Sequence, residues 1–367
     1  MKTMLALDGG GMRGAFTLGV LGEIESMLAR ELSLTGDRRD QFVLADYFDF
    51  IGGTSTGAII ATGLSLGWSV DHLKALYRDL GREVFKKRRF APLRLYSKYP
   101  GKPIKDQLDS LFGDLTLGSS DLRTLLMIVI HNRSTGRQFV ITNNPRLVYN
   151  RGDRPDWNNL RHRLADLLAA STAAPAFFPP VSLDLGTGSQ AFVDGGVTAH
   201  NNPSVQMFLA ATVSEYDLAW STGPDQLMLT SIGTGFIRSG FVNAKGIVPG
   251  TVLGVAVFTP IDLMLEGSKH NDIVCRSLAF LRHGDFMDEE LGRLSRGLPN
   301  KLFSYARYNL QLSEESMMTY GIDTPWRELA RLDAFEHVDT LVMLGERYAK
   351  ATVRPGHFEG FVRLRAS

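Results

Sequence analysis

Residues 47–66 read Tyr47-Phe48-Asp49-Phe50-Ile51-Gly52-Gly53-Thr54-Ser55-Thr56-Gly57-Ala58-Ile59-Ile60-Ala61-Thr62-Gly63-Leu64-Ser65-Leu66. The aromatic and β-branched run at 47–51 has the composition of a short buried strand, and the small-residue stretch at 57–66 suits a helix. Between them Gly53-Thr54-Ser55-Thr56-Gly57 has the form G-x-S-x-G. A serine on so sharp a strand-to-helix turn stands clear of the sheet, and glycines two residues either side remove side chains that would clash there. The helix behind it points its N-terminal amides at the site, which favours developing negative charge. The strand–turn–helix context sets this apart from an ordinary glycine-rich turn. Ser55 is the candidate nucleophile, with Gly53 and Gly57 shaping its elbow.

Outward from this stretch the same rhythm recurs. Met4-Leu5-Ala6-Leu7 reads as a strand that runs into a glycine-rich turn, and Leu18, Leu21, Ile24 and Leu28 then mark one face of a helix. Further strands are expected at 125–130, 138–142, 227–232 and 303–312, with a closing amphipathic helix at 334–353. This alternation predicts an α/β fold whose mainly parallel sheet is covered on both faces. Residues 236–260, rich in glycine, valine and phenylalanine without a period, read as an apolar loop or cap. No repeat or linker interrupts the chain. The expected organisation is one catalytic domain over 1–312, its motifs between 8 and 235, with a C-terminal helical extension at 313–367 packed on it.

Composition narrows the function. The 40 basic and 39 acidic residues give no electrostatic case for a nucleic-acid polymer as partner. The lone Cys275 excludes an intrachain disulfide and fits a reducing cytosol. The longest apolar runs, such as 125–130, have strand length, and nothing at the N-terminus reads as a targeting segment. A cytoplasmic chain that meets membrane only peripherally is expected.

Two more motifs carry chemistry. Asp8-Gly9-Gly10-Gly11-Met12-Arg13-Gly14 follows the first strand, and Gly9 to Gly14 satisfies G-x-G-x-x-G. A dinucleotide site requires an acidic residue at the end of the second strand, about twenty residues on. Glu31 falls in or just past the helix instead, and the second strand leads to Ser55. A glycine triplet does something else well: it leaves consecutive backbone N–H groups unobstructed for an oxyanion. Gly9, Gly10, Gly11 and Gly14, with Arg13 adding charge, are the candidate oxyanion loop. Phe192-Val193-Asp194-Gly195-Gly196 is weak alone, since Asp-Gly is a common turn. A serine hydrolase needs a base, however, and none of the eight histidines sits in a triad motif. His200, six residues beyond Asp194, comes nearest.

Together the three motifs resemble those of the patatin-like phospholipases, which carry D-G-G-G-x-R-G, G-x-S-x-G and D-G-G in this order. Ala169-Ala170-Ser171-Thr172-Ala173-Ala174-Pro175-Ala176-Phe177-Phe178-Pro179 and Ser231-Ile232-Gly233-Thr234-Gly235 resemble two further stretches of that family. The resemblance implies a three-layer α/β/α sandwich and a Ser55–Asp194 dyad in place of a triad. It also implies that Gly10 and Gly11, helped by Arg13, hold the oxyanion while Gly195 and Gly196 form the dyad loop. The products would be a fatty acid and a lysolipid or glycerol derivative, with no metal and no cofactor.

Lys86-Lys87-Arg88-Arg89, followed by Phe90, Leu93 and Leu95, is a candidate patch for anionic headgroups, its plain alternative being a solvated loop. A narrower resemblance is to patatin-like effectors of bacterial antiviral defence that a cyclic nucleotide activates; no residues mark a nucleotide site. The competing expectations are a Ser–His–Asp carboxylesterase acting on soluble esters, and a non-enzymatic binding protein. Headgroup and oligomeric state are not legible in the residues.

Overall fold

In this computed structural model, residues 1–84, 97–152, 158–186, 188–237 and 252–365 are described, without the side chains of Arg82 and residues 252–261. The basic cluster at 86–89 and its apolar neighbours Phe90, Leu93 and Leu95 lie outside them. Among the described residues nine strands build one sheet: β1 Lys2–Leu7, β2 Phe50–Thr54, β3 Leu125–Asn132, β4 Arg137–Thr142, β5 Val181–Asp184, β6 Ser189–Asp194, β7 Leu227–Ile232, β8 Phe280–His283 and β9 Ser304–Tyr308. Their order is β5-β6-β3-β2-β1-β7-β9-β8, with β4 on β3. The pairs joining β3, β2, β1, β7, β9 and β8 are all parallel. Those joining β3 to β4, β3 to β6 and β5 to β6 are antiparallel.

Alternation along the strands feeds two separate cores. Leu5, Leu7, Ile51, Ile128 and Ile130 face one, and Met4, Ala6, Phe50 and Met127 the other. Both faces are apolar, which is why these strands read as continuous hydrophobic runs. Among the described residues six helices of eight residues or more cover the first face: α1 Gly14–Glu31, α2 Thr56–Ser65, α3 Val70–Val84, α4 Lys102–Phe112, α5 Leu164–Ser171 and, late in the chain, Val338–Thr352. Between these in sequence, α6 Ser204–Thr212 and α7 Val252–Leu278 cover the second face, so Val338–Thr352 is α8. The three layers are those of the α/β/α sandwich.

The C-terminal stretch is tied to the N-terminal helix by a close crossing. A Cβ on Gly19 would lie 2.3 Å from the Val342 carbonyl oxygen, and one on Gly345 would lie 2.2 Å from that of Phe16. Leu341, Leu344 and Tyr348 of α8 therefore join the same core as Leu18 and Leu21 of α1.

Two expectations need correction. The second strand begins at Phe50, not at 47, and continues through Gly52-Gly53-Thr54, where a turn is expected. Asp49 ends the lead-in: its carboxylate accepts from the Lys2 ammonium (2.7 Å) and from the Thr3 amide (2.9 Å), which fixes the start of β2 beside β1. The aperiodic segment is helical from Val252, where α7 starts, while 238–251 lie outside the described residues. No helix of the described residues is long and apolar enough to cross a membrane.

Candidate active site

The site forms where two strands meet end to end. On β3, Val129 pairs with Thr54 of β2, and the next residue, Ile130, pairs with Asp194 of β6. Because β2 runs parallel and β6 antiparallel to β3, they approach along one edge from opposite directions and converge at Ser55 and Asp194. Open α/β sheets place their sites beyond the carboxyl ends of strands, and Ser55 and Asp194 stand at the carboxyl ends of β2 and β6.

Ser55 sits at φ 55°, ψ −125°, a left-handed conformation that a residue with a side chain adopts only when its surroundings impose it. The two elbow glycines impose it. A Cβ on Gly53 would lie 2.1 Å from the Gly57 carbonyl oxygen; one on Gly57 would lie 2.4 Å from that of Leu7 and 2.7 Å from that of Asp8. The turn is thereby pressed onto the end of β1. We expect Gly57→Ala to cost roughly 1–3 kcal/mol and to lower ester turnover at least tenfold, roughly the effect of a small misplacement of reacting atoms. The control is Gly356→Ala, where a Cβ meets nothing within 4 Å. Urea midpoints and turnover measured together check this, and unchanged turnover in Gly57→Ala would show that the elbow tolerates displacement.

The Ser55 hydroxyl donates to Asp194 Oδ2 at 2.6 Å. The Ser55 amide donates to Ser171 Oγ (2.9 Å), whose own hydroxyl donates to the Val129 carbonyl (2.7 Å). Ser171, the serine of the alanine-rich stretch, thus ties the elbow to β3. Asp194 caps its own turn: Oδ1 accepts from the Gly196 amide at 2.7 Å, and its amide donates to the Ala173 carbonyl at 3.0 Å. A Cβ on Gly195 would meet the Val129 carbonyl oxygen at 2.4 Å, and one on Gly196 would meet Met264 and Asn201. The D-G-G sequence is what lets an aspartate lie this close to β3.

Asp194 is 0% exposed and Ser55 is 5% exposed. Burial raises the Asp194 carboxyl to about 7, against the opposing hydrogen bonds from Ser55 and Gly196. A carboxylate that is a poor base in water is thereby matched to neutral pH.

No histidine ring reaches Ser55 among the described residues, which include all eight histidines. His200 is buried, its carbonyl accepts from the Thr54 hydroxyl at 2.7 Å, and neither ring nitrogen has a partner among the described residues.

The glycine loop is more divided than its sequence suggests. The Gly9 amide donates to the Asn201 carbonyl at 3.1 Å, and the Gly14 amide is spent within the helical turn on Gly11 and Met12. Neither is available as an oxyanion donor, which corrects the expectation for Gly9 and Gly14. Their smallness serves packing: a Cβ on Gly9 would lie 3.1 Å from Ser55 Cβ, and one on Gly14 would lie 2.6 Å from Thr56 Oγ1. The amides of Gly10 and Gly11 donate to no group among the described residues. Gly11, at φ 59°, leaves no room for a side chain, since its Cβ would lie 2.2 Å from the Leu332 carbonyl oxygen.

Arg13 is 4% exposed, and its guanidinium donates to the carbonyls of Gly10 (3.3 Å) and Gly235 (3.3 Å). It holds the loop, rather than standing beside the hole as a free charge. Two other residues escape sequence reading. Tyr77 of α3 hydrogen-bonds the Thr56 hydroxyl and donates to the Thr56 carbonyl at 3.0 Å, bracing the start of α2. Arg307 of β9 grips Asp8 in a bidentate pair, Nη1 to Oδ1 at 2.7 Å and Nη2 to Oδ2 at 2.6 Å.

Ser55 and Asp194 open onto a cleft. Its other walls are mainly apolar and include Ile59, Leu80, Ile104, Phe177, Phe178 and Met264. Such a surface accepts a hydrocarbon chain. Cys275 is buried and its thiol is pushed well above the usual range by desolvation, so it is no rival nucleophile. Among the described residues no group of three His, Cys, Asp or Glu is placed to hold a metal.

The fold and these motifs belong to one family. The model of the patatin-like phospholipases matches residues 5–207, and the chain belongs to that family. A cGAMP-activated phospholipase of Vibrio cholerae is 36% identical over 215 residues, covering 55% of this chain and 55% of its own. One of Pseudomonas aeruginosa is 28% identical over 279 residues, covering 73% of this chain and 76% of its own. A cUMP-AMP-activated phospholipase of Escherichia coli is 33% identical over 213 residues, covering 58% and 59%. Against the Vibrio relative, the chain spans about half the length.

Proposed function

We propose that this protein hydrolyses acyl esters of membrane phospholipids through a Ser55–Asp194 dyad. The observation that carries the reading is the 2.6 Å hydrogen bond between two buried groups at the floor of an apolar cleft. Ser55 Oγ attacks the ester carbonyl while Asp194 takes its proton. The amides of Gly10 and Gly11 receive the oxyanion, in the direction favoured by the start of α2. Collapse of the tetrahedral intermediate expels the lysolipid alcohol, which recovers the proton from Asp194. Asp194 then deprotonates water, whose attack on the acyl-serine gives a second tetrahedral intermediate; its collapse releases the fatty acid and returns the proton from Asp194 to Ser55 Oγ. The acyl chain lies along Phe177, Phe178 and Met264. With Asp194 near 7, turnover of a soluble ester rises along an acidic limb centred near pH 7.

The names of the relatives support a second element. A cyclic nucleotide switches the activity on, and the enzyme works from the cytoplasm at the inner face of the membrane, as an effector of antiviral defence would. Fatty-acid release from phospholipid vesicles, with and without a panel of cyclic nucleotides, tests both elements, with Ser55→Ala as blank. Labelling of Ser55 by a fluorophosphonate reports the nucleophile independently of lipid. Absence of labelling, or release that survives in Ser55→Ala, would end the dyad reading.

A further inference from the structure

The glycine loop borders two cavities that share no lining residue among those described. One is the acyl cleft, touched by Gly11 and Met12; the other is touched by Asp8, Gly9 and Arg13. The charges lining this second space are unevenly matched. Arg307 is paired with Asp8, and Arg276 with Asp272. Arg13 and Lys269 have no carboxylate partner among the described residues. Of the remaining acids on its walls, Glu266 stands at the exposed rim and Asp285 accepts the Tyr348 hydroxyl at 2.9 Å.

Arg13 is the unusual group. It is almost wholly buried and, among the described residues, its side chain binds two backbone carbonyls and no carboxylate, so its charge is desolvated without a counter-ion there. Burial outweighs the more distant Asp8 and lowers its guanidinium to about 10. A buried cation left in this state is stabilised by any anion that enters. The carbonyl it holds, that of Gly10, belongs to the same rigid peptide plane as the Gly11 amide. Whatever moves Arg13 on one side therefore turns the oxyanion donor on the other, and glycine at both ends lets that plane turn.

We infer that this second cavity is the binding site for a cyclic dinucleotide, a phosphodiester lying between Arg13 and Lys269, and that its occupancy sets the Gly11 amide. The inference rests on the nucleotide-activated reading above. Phe286 lies exposed on its wall, where a base can meet its ring. Arg13 is a positioning residue here: it touches neither the ester nor the reacting atoms.

Titration calorimetry of the full chain with cGAMP and cUMP-AMP tests the site by charge reversal at two exposed rim positions, Lys269 and Glu266. Lys269→Glu is expected to weaken binding roughly tenfold or more, and Glu266→Lys to tighten it a few fold. Opposite signs are something that a loss of packing would not produce. Arg13→Lys keeps the charge but loses the fork. It is expected to retain most of the binding while fatty-acid release from phosphatidylethanolamine–phosphatidylglycerol vesicles no longer responds to nucleotide. If a nucleotide activates release and both rim variants bind it as wild type does, the cavity assignment is overturned and the activation reading stands. If vesicles are hydrolysed and no nucleotide binds, the activation reading falls and the cavity assignment with it.

Discussion

Asp194→Asn is expected to lower ester turnover by roughly a thousandfold or more while making the protein more stable at pH 8. Both effects have one cause. The carboxyl is fully buried and its bonds among the described residues are those from Ser55 and Gly196, which do not offset the loss of water, so it is raised to about 7. An acid whose folded pKa is raised binds more protons in the native than in the unfolded state between about pH 4 and pH 7. Stability therefore falls as pH rises through that window, and the deficit is complete above about pH 7. Moving a carboxyl from 3.8 to about 7 corresponds to roughly 4 kcal/mol. Asparagine escapes the deficit because it never ionises. Its carbonyl can accept from Gly196 and its amide can donate to Ser55 Oγ, since a hydroxyl serves either role. Denaturant midpoints of both proteins at pH 5 and pH 8 decide the matter. The variant should lead by a few kcal/mol at pH 8 and the gap should close toward pH 5. A gap that did not change with pH would mean that Asp194 is not held near neutrality, and the acidic limb of turnover should then vanish too.

The contrast between what was legible in the residues and what was not follows from the range of the contacts. Ser55 and Asp194 announce themselves because the chemistry demands local backbone shapes: a glycine-flanked elbow at 53–57 and a self-capping turn at 194–196. Their separation in sequence is bridged by β3, whose pairing with both β2 and β6 no local motif encodes. The glycine loop misleads for a different reason. A run of glycines shows that amides can be bared but not which of them are already spent, and only the positions of Asn201 and the following helical turn separate Gly9 and Gly14 from Gly10 and Gly11. Helix α7 was hidden by its own composition: Gly254 and Pro260 in its first turns, amid valines, argue against a helix on propensity alone. Ser171 and Tyr77 act on backbone and hydroxyl groups far away in sequence. Arg307 did leave a trace, as a charged residue in the middle of an expected buried strand, where a partner is obligatory.

That partner makes Arg307→Leu the second large effect. The guanidinium is 2% exposed and makes three bonds: two to Asp8, and one to Ser231 Oγ at 2.7 Å on the strand between them. Burial pushes the Asp8 carboxyl up and Arg307 pulls it back, while Asp8 holds Arg307 above the ordinary arginine range in spite of desolvation. Each charge is tolerable only because of the other. Removing one partner leaves an uncompensated buried charge, which costs roughly 3–5 kcal/mol. The sign of its pH dependence is fixed as well. Without Arg307, Asp8 takes up a proton in the native state, so the variant should lose stability as pH rises, with its deficit larger at pH 8 than at pH 5. Adding Asp8→Asn removes the stranded charge and should restore most of the loss, as replacing both members of a buried pair often does. Activity should not return with stability, because Asp8 opens the glycine loop and its grip on β9 fixes where Gly10 and Gly11 begin. Urea midpoints of the single and double variants, read beside turnover, separate these effects. A single variant as stable as wild type, or a double variant no better than the single, would mean that the pair is not what anchors the loop to the sheet.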